Sequence, residues 1–156
     1  MASRLPAFPR FVFTVFEPIS LLAGFVPAVF LSDWFVSEQV ARSVPVPLTD
    51  NNRLVAQQLG NCYGLAFLVG IAVLYSSNEL HVVRNYLRAL WLADLGHLAV
   101  TYNILQYDRF LYVASWNPMT WGNVGITLFL CLTRTAYLLG LFGPDIDAPL
   151  APKKSQ

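Results

Sequence analysis

The sequence predicts an all-α fold, a transmembrane four-helix bundle with antiparallel neighbours and both termini in the cytosol. Three observations predict it. Hydrophobic residues make up 56% of the 156 residues and charged residues only 12%, a balance that gives a water-soluble chain of this size more apolar surface than it can bury. Four apolar runs lie near residues 11–31, 54–75, 84–105 and 121–142, each close to the roughly 20 residues a helix needs to cross the hydrocarbon layer. The alternating segments of a membrane barrel, of which about eight are required, do not occur in the sequence. At 17.4 kDa the chain reads as one integral membrane domain over 1–156, with a cytosolic tail at 143–156 and no separate soluble catalytic unit.

The first run contains Glu17 and Pro18 and is too long for a signal peptide, so it is expected to remain as the first span. The connection after it carries Pro45, Pro47, Asp50, Asn51 and Asn52, residues that favour turning or extended backbone in an exposed loop. The second connection, Ser76-Ser77-Asn78-Glu79, is short enough to make spans two and three antiparallel neighbours. The third, 106–120, holds Trp116, Asn117 and Pro118 and suits the membrane interface.

Basic residues set the orientation, because Lys and Arg accumulate on the cytoplasmic side. Arg4, Arg10, Arg84, Arg88, Lys153 and Lys154 fall on one side and Arg42, Arg53 and Arg109 on the other, which puts both termini in the cytosol. The tail Lys153-Lys154-Ser155-Gln156 then resembles a dilysine retrieval signal, predicting a multi-pass protein of the endoplasmic reticulum membrane. Net charge is +1 with no basic cluster inside the fold, so no nucleic-acid partner is expected. Cys62 and Cys131 lack the spacing of a zinc site or disulfide scaffold and read as small buried hydrophobes.

Ionisable groups at membrane depth cost about 2.5–3.5 kcal/mol on insertion scales, so each calls for a partner or a purpose. Glu17, Asp94, His97 and Arg134 are such groups, accompanied by Gln57, Gln58, Asn61 and Asn123. Asp94, His97 and Thr101 stand at i, i+3 and i+7, and Asn123, Thr127, Leu130, Arg134 and Tyr137 follow one helical stripe, so both sets should face the bundle interior. Gly60 and Gly64 at small-xxx-small spacing should let another helix approach closely. Counting about 1.5 Å per residue from the cytoplasmic ends places Glu17, Arg134 and Asp94 in one layer roughly 9–15 Å deep, with His97 and Asn61 nearer 20 Å. If Arg134 pairs with one carboxylate, the other can be kept as a neutral acid that donates a proton to a lipophilic substrate, with His97 as its partner base. The expected catalytic set is therefore Glu17, Asp94, His97 and Arg134. Gln58, Asn61, Tyr63, Trp91, Thr101, Asn123 and Tyr137 are the expected substrate contacts around a midplane cavity. A buried ion network that only fixes helix register is the alternative. His81 sits in a loop and reads as a solvated surface histidine. No metal site and no cofactor is expected: Arg134 shares the layer in which carboxylates would have to bind a cation, and no phosphate loop or nucleophile elbow occurs.

Several stretches carry a family resemblance: Phe13-Thr14-Val15-Phe16-Glu17-Pro18-Ile19-Ser20, Gln58-Leu59-Gly60-Asn61-Cys62-Tyr63, Ala93-Asp94-Leu95-Gly96-His97, Trp121-Gly122-Asn123 and Arg134 to Asp145. On these the chain resembles, over nearly its whole length, a family of small fungal four-span membrane proteins classed as a domain of unknown function. The resemblance implies the fold and a fungal origin, and no activity. In layout alone the chain is also similar to the sterol isomerase and emopamil-binding proteins, and no site residue is carried over from them.

Together these readings point to a membrane enzyme, an isomerase or cyclase acting by proton transfer on a terpenoid, sterol or polyketide intermediate, as in fungal secondary metabolite biosynthesis. The expected partners are a lipophilic small molecule, membrane lipids, and further copies of the chain or enzymes of the same pathway. The alternative is a non-catalytic membrane protein that binds a lipid or scaffolds partner enzymes.

Overall fold

A computed structural model describes residues 4–41, 47–77 and 79–146, all of them helical or irregular, with no strand among the described residues. Lys153 and Lys154, with Arg42, Pro45 and Asn78, lie outside the described residues.

The first long helix, α1, spans Ala7–Phe30. Its course is set by Pro18, which has no N–H to give to the carbonyl one turn earlier and whose ring crowds that carbonyl. The chain answers with a π-helical turn over Val12–Phe16, and the freed Thr14 carbonyl accepts a hydrogen bond from the Tyr75 hydroxyl at 2.9 Å. After a break at Leu31 a short helix, α2, covers Ser32–Ser37.

Helix α3 runs over Asp50–Ser76, starting four residues before the second apolar run. Thr49 causes the early start. Its hydroxyl accepts from the Asn52 N–H while the Asn52 side chain accepts from the Thr49 N–H at 3.0 Å, a reciprocal cap that draws the expected loop residues Asp50, Asn51 and Asn52 into the first turn.

Helix α4 spans Leu80–Leu111 and kinks at Gln106 (φ 58°, ψ 177°), where the third apolar run ends. Helix α5 covers 118–138 and contains a second π-helical turn at Trp121–Ile126. Asn117 caps it by accepting from the Thr120 N–H at 2.8 Å. It stops in a Schellman turn: Gly140 takes φ 76°, its N–H reaches the Tyr137 carbonyl, and the Leu141 N–H reaches that of Ala136.

Helices α1 and α3 pack without an intervening layer of large side chains. A Cβ on Gly60 would lie 2.6 Å from Val29 Cγ2, and one on Gly64 would lie 3.2 Å from the Phe25 ring, so the small-residue spacing serves the close approach it predicts. Helices α4 and α5 form the other pair, joined by Trp91 Nε1 donating to Thr135 Oγ1 at 2.9 Å. The N-terminal half of α1 bridges the pairs. Its Phe13 meets Tyr137 and its Phe16 meets Phe129, edge to face.

One buried cluster, including Leu5, Phe13, Leu74, Leu87 and Tyr137, fills one end of the bundle; Ala28, Phe35 and Ala56 fill the other. Arg4 and Ile146 exchange hydrogen bonds, Ile146 N–H to the Arg4 carbonyl at 2.8 Å and Arg4 Nε to the Ile146 carbonyl at 3.2 Å. That exchange sets both described ends of the chain beside each other. Helices α1 and α3 are long and apolar enough to cross a membrane.

Candidate functional site

The centre of the molecule is a charge cluster built from three helices. Glu17 follows directly on the first π-turn, Asp94 stands midway along α4, and Arg134 is near the end of α5. Arg134 is 0% exposed and Glu17 6%. The guanidinium forks, Nη2 to Glu17 Oε1 and Nη1 to Asp94 Oδ2, so Arg134 bridges both carboxylates. This corrects the expectation of one paired and one free acid: the planar fork presents two donors in fixed directions, and the helices place one acid in front of each. The Phe13 ring lies under the guanidinium at 5.4 Å, adding a cation–π contact.

One guanidinium facing two carboxylates is balanced only when the cluster holds one proton more than the fully ionised state. Three polar atoms here are buried without a hydrogen-bond partner: Glu17 Oε2, Arg134 Nε and His97 Nε2. Buried polar atoms are nearly always paired, so such a concentration marks the site as unusual. His97 is half-buried one turn beyond Asp94, beside the backbone of Asn123 in the second π-turn. Both π-turns thus adjoin the polar centre, a common placement for such bulges. Tyr86 is close enough to Glu17 and Arg134 to feel both charges.

The other expected substrate contacts are dispersed. Asn123 donates to Gln39 Oε1 at 3.1 Å, Trp91 is held by Thr135, and Tyr63 lies against Gly24 of α1. Thr101 is half-buried on α4. Tyr137 turns towards Asp145, its hydroxyl 3.1 Å from Oδ1, and Arg84 bonds the same carboxylate. These three residues border a cavity of about 380 Å³ at the end of the bundle, together with Arg88, Gly140 and Gly143, and not at its midplane.

Gln58 and Asn61 are exposed on the side of α3 that faces away from α1, so they do not join the charge cluster. Cys62 shares that outer surface, which corrects its reading as a buried hydrophobe; Cys131 is buried as expected, and both are free thiols. The helix has only one tightly packed face, along Ala56, Gly60 and Leu74, and Cys62 lies well round from it. His81 is exposed, as expected, but it stands in the first turn of α4 and not in a loop, because the helix starts at Leu80; a ring nitrogen lies 3.0 Å from Asn85 Nδ2 one turn on.

Sequence reasoning missed Phe13, Tyr86, Thr135 and the pair Gln39 and Glu38, the last of which accepts from Asn117 Nδ2 at 2.9 Å. Phe13 alone had a signal, standing one turn before Glu17 on the same face.

Fold and site together define an all-helical protein with two helices fit to cross a membrane and a buried arginine shared by two acids. The chain belongs to the family described as a domain of unknown function (DUF7704), which matches residues 2–144. No curated protein and no solved structure matches it.

Proposed function

We propose that the chain is a four-span integral membrane protein of the endoplasmic reticulum that transfers a proton within a lipophilic small molecule, as an isomerase or cyclase. The observation that carries this reading is the buried cluster itself: two carboxylates on one guanidinium, with Glu17 Oε2 and the neighbouring His97 Nε2 left without partners. Register alone needs a single satisfied pair.

Asp94 is the more accessible acid, its side chain 13% exposed against 8% for Glu17. Its neighbours Ala93, Leu95 and Gly96 lie on the outer surface of α4, so a hydrophobic molecule can arrive from the bilayer at that acid. Asp94 gives a proton to an olefinic carbon, Arg134 stabilises the carboxylate left behind, and His97 Nε2 removes a proton from another carbon. The net proton count is zero, as an isomerisation or cyclisation demands. The four-span reading is supported by the overlap of the apolar runs with α1, α3, α4 and α5, and by the Arg4–Ile146 exchange, which suits an even number of crossings. Residence in the reticulum rests on Lys153 and Lys154; covering them with a C-terminal fusion should release the protein to later compartments, and unchanged reticular staining argues against it.

The test is deletion of the gene in its host, complemented by wild type or Asp94→Asn at equal membrane abundance. Wild type should convert an accumulated lipophilic precursor into a product of equal mass and Asp94→Asn should not. Equal restoration by both defeats the catalytic reading. It then favours a non-catalytic lipid-binding or scaffolding protein, for which Arg134 ties α1, α4 and α5 through its two bonds.

A further inference from the structure

We infer that α3 carries the interface of a parallel homodimer, centred on Asn61. The inference rests on the membrane reading above. Leu54, Gln58, Asn61, Leu65, Leu68 and Ala72 recur at alternating spacings of four and three along α3, and all six are exposed. That is the heptad seam of a two-stranded coiled coil. It lies on the side of the helix opposite the one that Ala56, Gly60 and Leu74 bury against the rest of the chain.

An apolar stripe alone is satisfied by lipid, but this one is not apolar at its centre. Asn61 lies about 17 Å from the start of the helix, at mid-membrane depth, with Gln58 one turn before it. Neither side chain has a hydrogen-bond partner among the described residues, whereas the neighbouring Gln57 donates to the Val29 carbonyl at 3.4 Å. A carboxamide facing hydrocarbon must find both a donor and an acceptor, and hydrocarbon supplies neither. The partner that provides both at the same depth is a second copy of the same amide. Copies of one chain insert with one orientation, so a two-fold axis along the membrane normal sets Asn61 against Asn61 of its copy, with Gln58 adjacent. In that heptad Gln58 takes an a position and Asn61 the following d position, and polar residues within such a seam fix its register.

Oxidative cross-linking of the full chain in native membranes tests this in a Cys62→Ser background, since Cys131 is buried. Leu65→Cys and Leu68→Cys, at positions 59% and 63% exposed, should each give a band of twice the chain mass. Leu59→Cys, exposed on a side of α3 well round from the seam, should give little. Adding Asn61→Val should lower the Leu65→Cys dimer fraction about threefold, the loss expected of one interhelical amide pair, and Asn61→Gln should restore it. Absence of the band at both seam positions, equal cross-linking at position 59, a band of another mass, or indifference to Asn61→Val overturns the dimer. An alkaline carbonate wash separates the two readings: release of the chain removes the membrane reading beneath the proposal, whereas a retained but uncross-linked chain removes the dimer alone.

Discussion

Replacing Arg134 with methionine removes the group on which the centre of the bundle depends. The side chain is wholly buried, donates to carboxylates on two other helices and covers the Phe13 ring. Each charge-assisted bond contributes about 1.5–3 kcal/mol, and breaking a buried ion pair by removing one partner costs about 3–5 kcal/mol, because the other charge is left uncompensated. Here two acids are left facing each other, so Arg134→Met is expected at the upper part of that range. For a chain of this size the loss corresponds to a fall in the melting midpoint on the order of 10 °C, measured by heating detergent-solubilised protein and following the monodisperse fraction. The triple variant Glu17→Gln, Asp94→Asn, Arg134→Met carries no charge at the site and should regain more than half of the loss, since apolar or neutral replacements of whole buried ion clusters are tolerated. A midpoint within 2 °C of wild type for Arg134→Met, or no recovery in the triple variant, refutes the electrostatic account.

Tyr75→Phe leaves the Thr14 carbonyl without its donor and should cost about 1–2 kcal/mol, read from the same melting assay; a neutral outcome means the carbonyl finds another donor. Gly60→Val should separate α1 from α3, because even a Cβ lies 2.6 Å from Val29 Cγ2, and accelerated protease cleavage near residue 47 in folded protein would report it. At the surface, Arg53 donates to Asp33 at 2.7 Å and holds that carboxyl below the usual carboxylate range. Its folded-state value is therefore below its unfolded value, so the pair stabilises the fold above the ordinary aspartate range and loses that effect as pH falls through the lowered value. Asp33→Asn should flatten the acid limb of the stability profile slightly, and an unchanged limb would show the pair to be inert.

The charge cluster was legible because ionised residues inside apolar runs stand out, and depth counting alone brought Glu17, Asp94 and Arg134 to one level. Direction was harder. Asn61 and Gln58 carry the same amide whether they face the interior or a neighbour, and only the packing of α3 against α1, through Gly60, turns them outwards. The geometry of Arg134 was also hidden, since one-letter spacing does not say that the fork meets an acid on each tine. Pro18 removes a helical hydrogen bond from α1, and nothing near it in the sequence says that Tyr75, 61 residues from the carbonyl it serves, absorbs the loss. Tyr137 left its expected place because Asp145 and Arg84, distant in sequence, meet it at the end of the bundle.

The span between Glu17 and Arg134, 117 residues, has a consequence for synthesis in the four-span reading. At about 5–20 residues per second the arginine follows the glutamate by roughly 6–23 s. During that interval α1, and then α4, enter the membrane with acids whose counter-ion has not been made. The growing chain must keep those carboxyls neutral or sheltered beside the insertion machinery, and the arrival of the final helix is the event that releases it. On that reading a ribosome stalled before residue 134 should leave the nascent chain engaged with its insertion partner, where one stalled beyond the emergence of α5 should not.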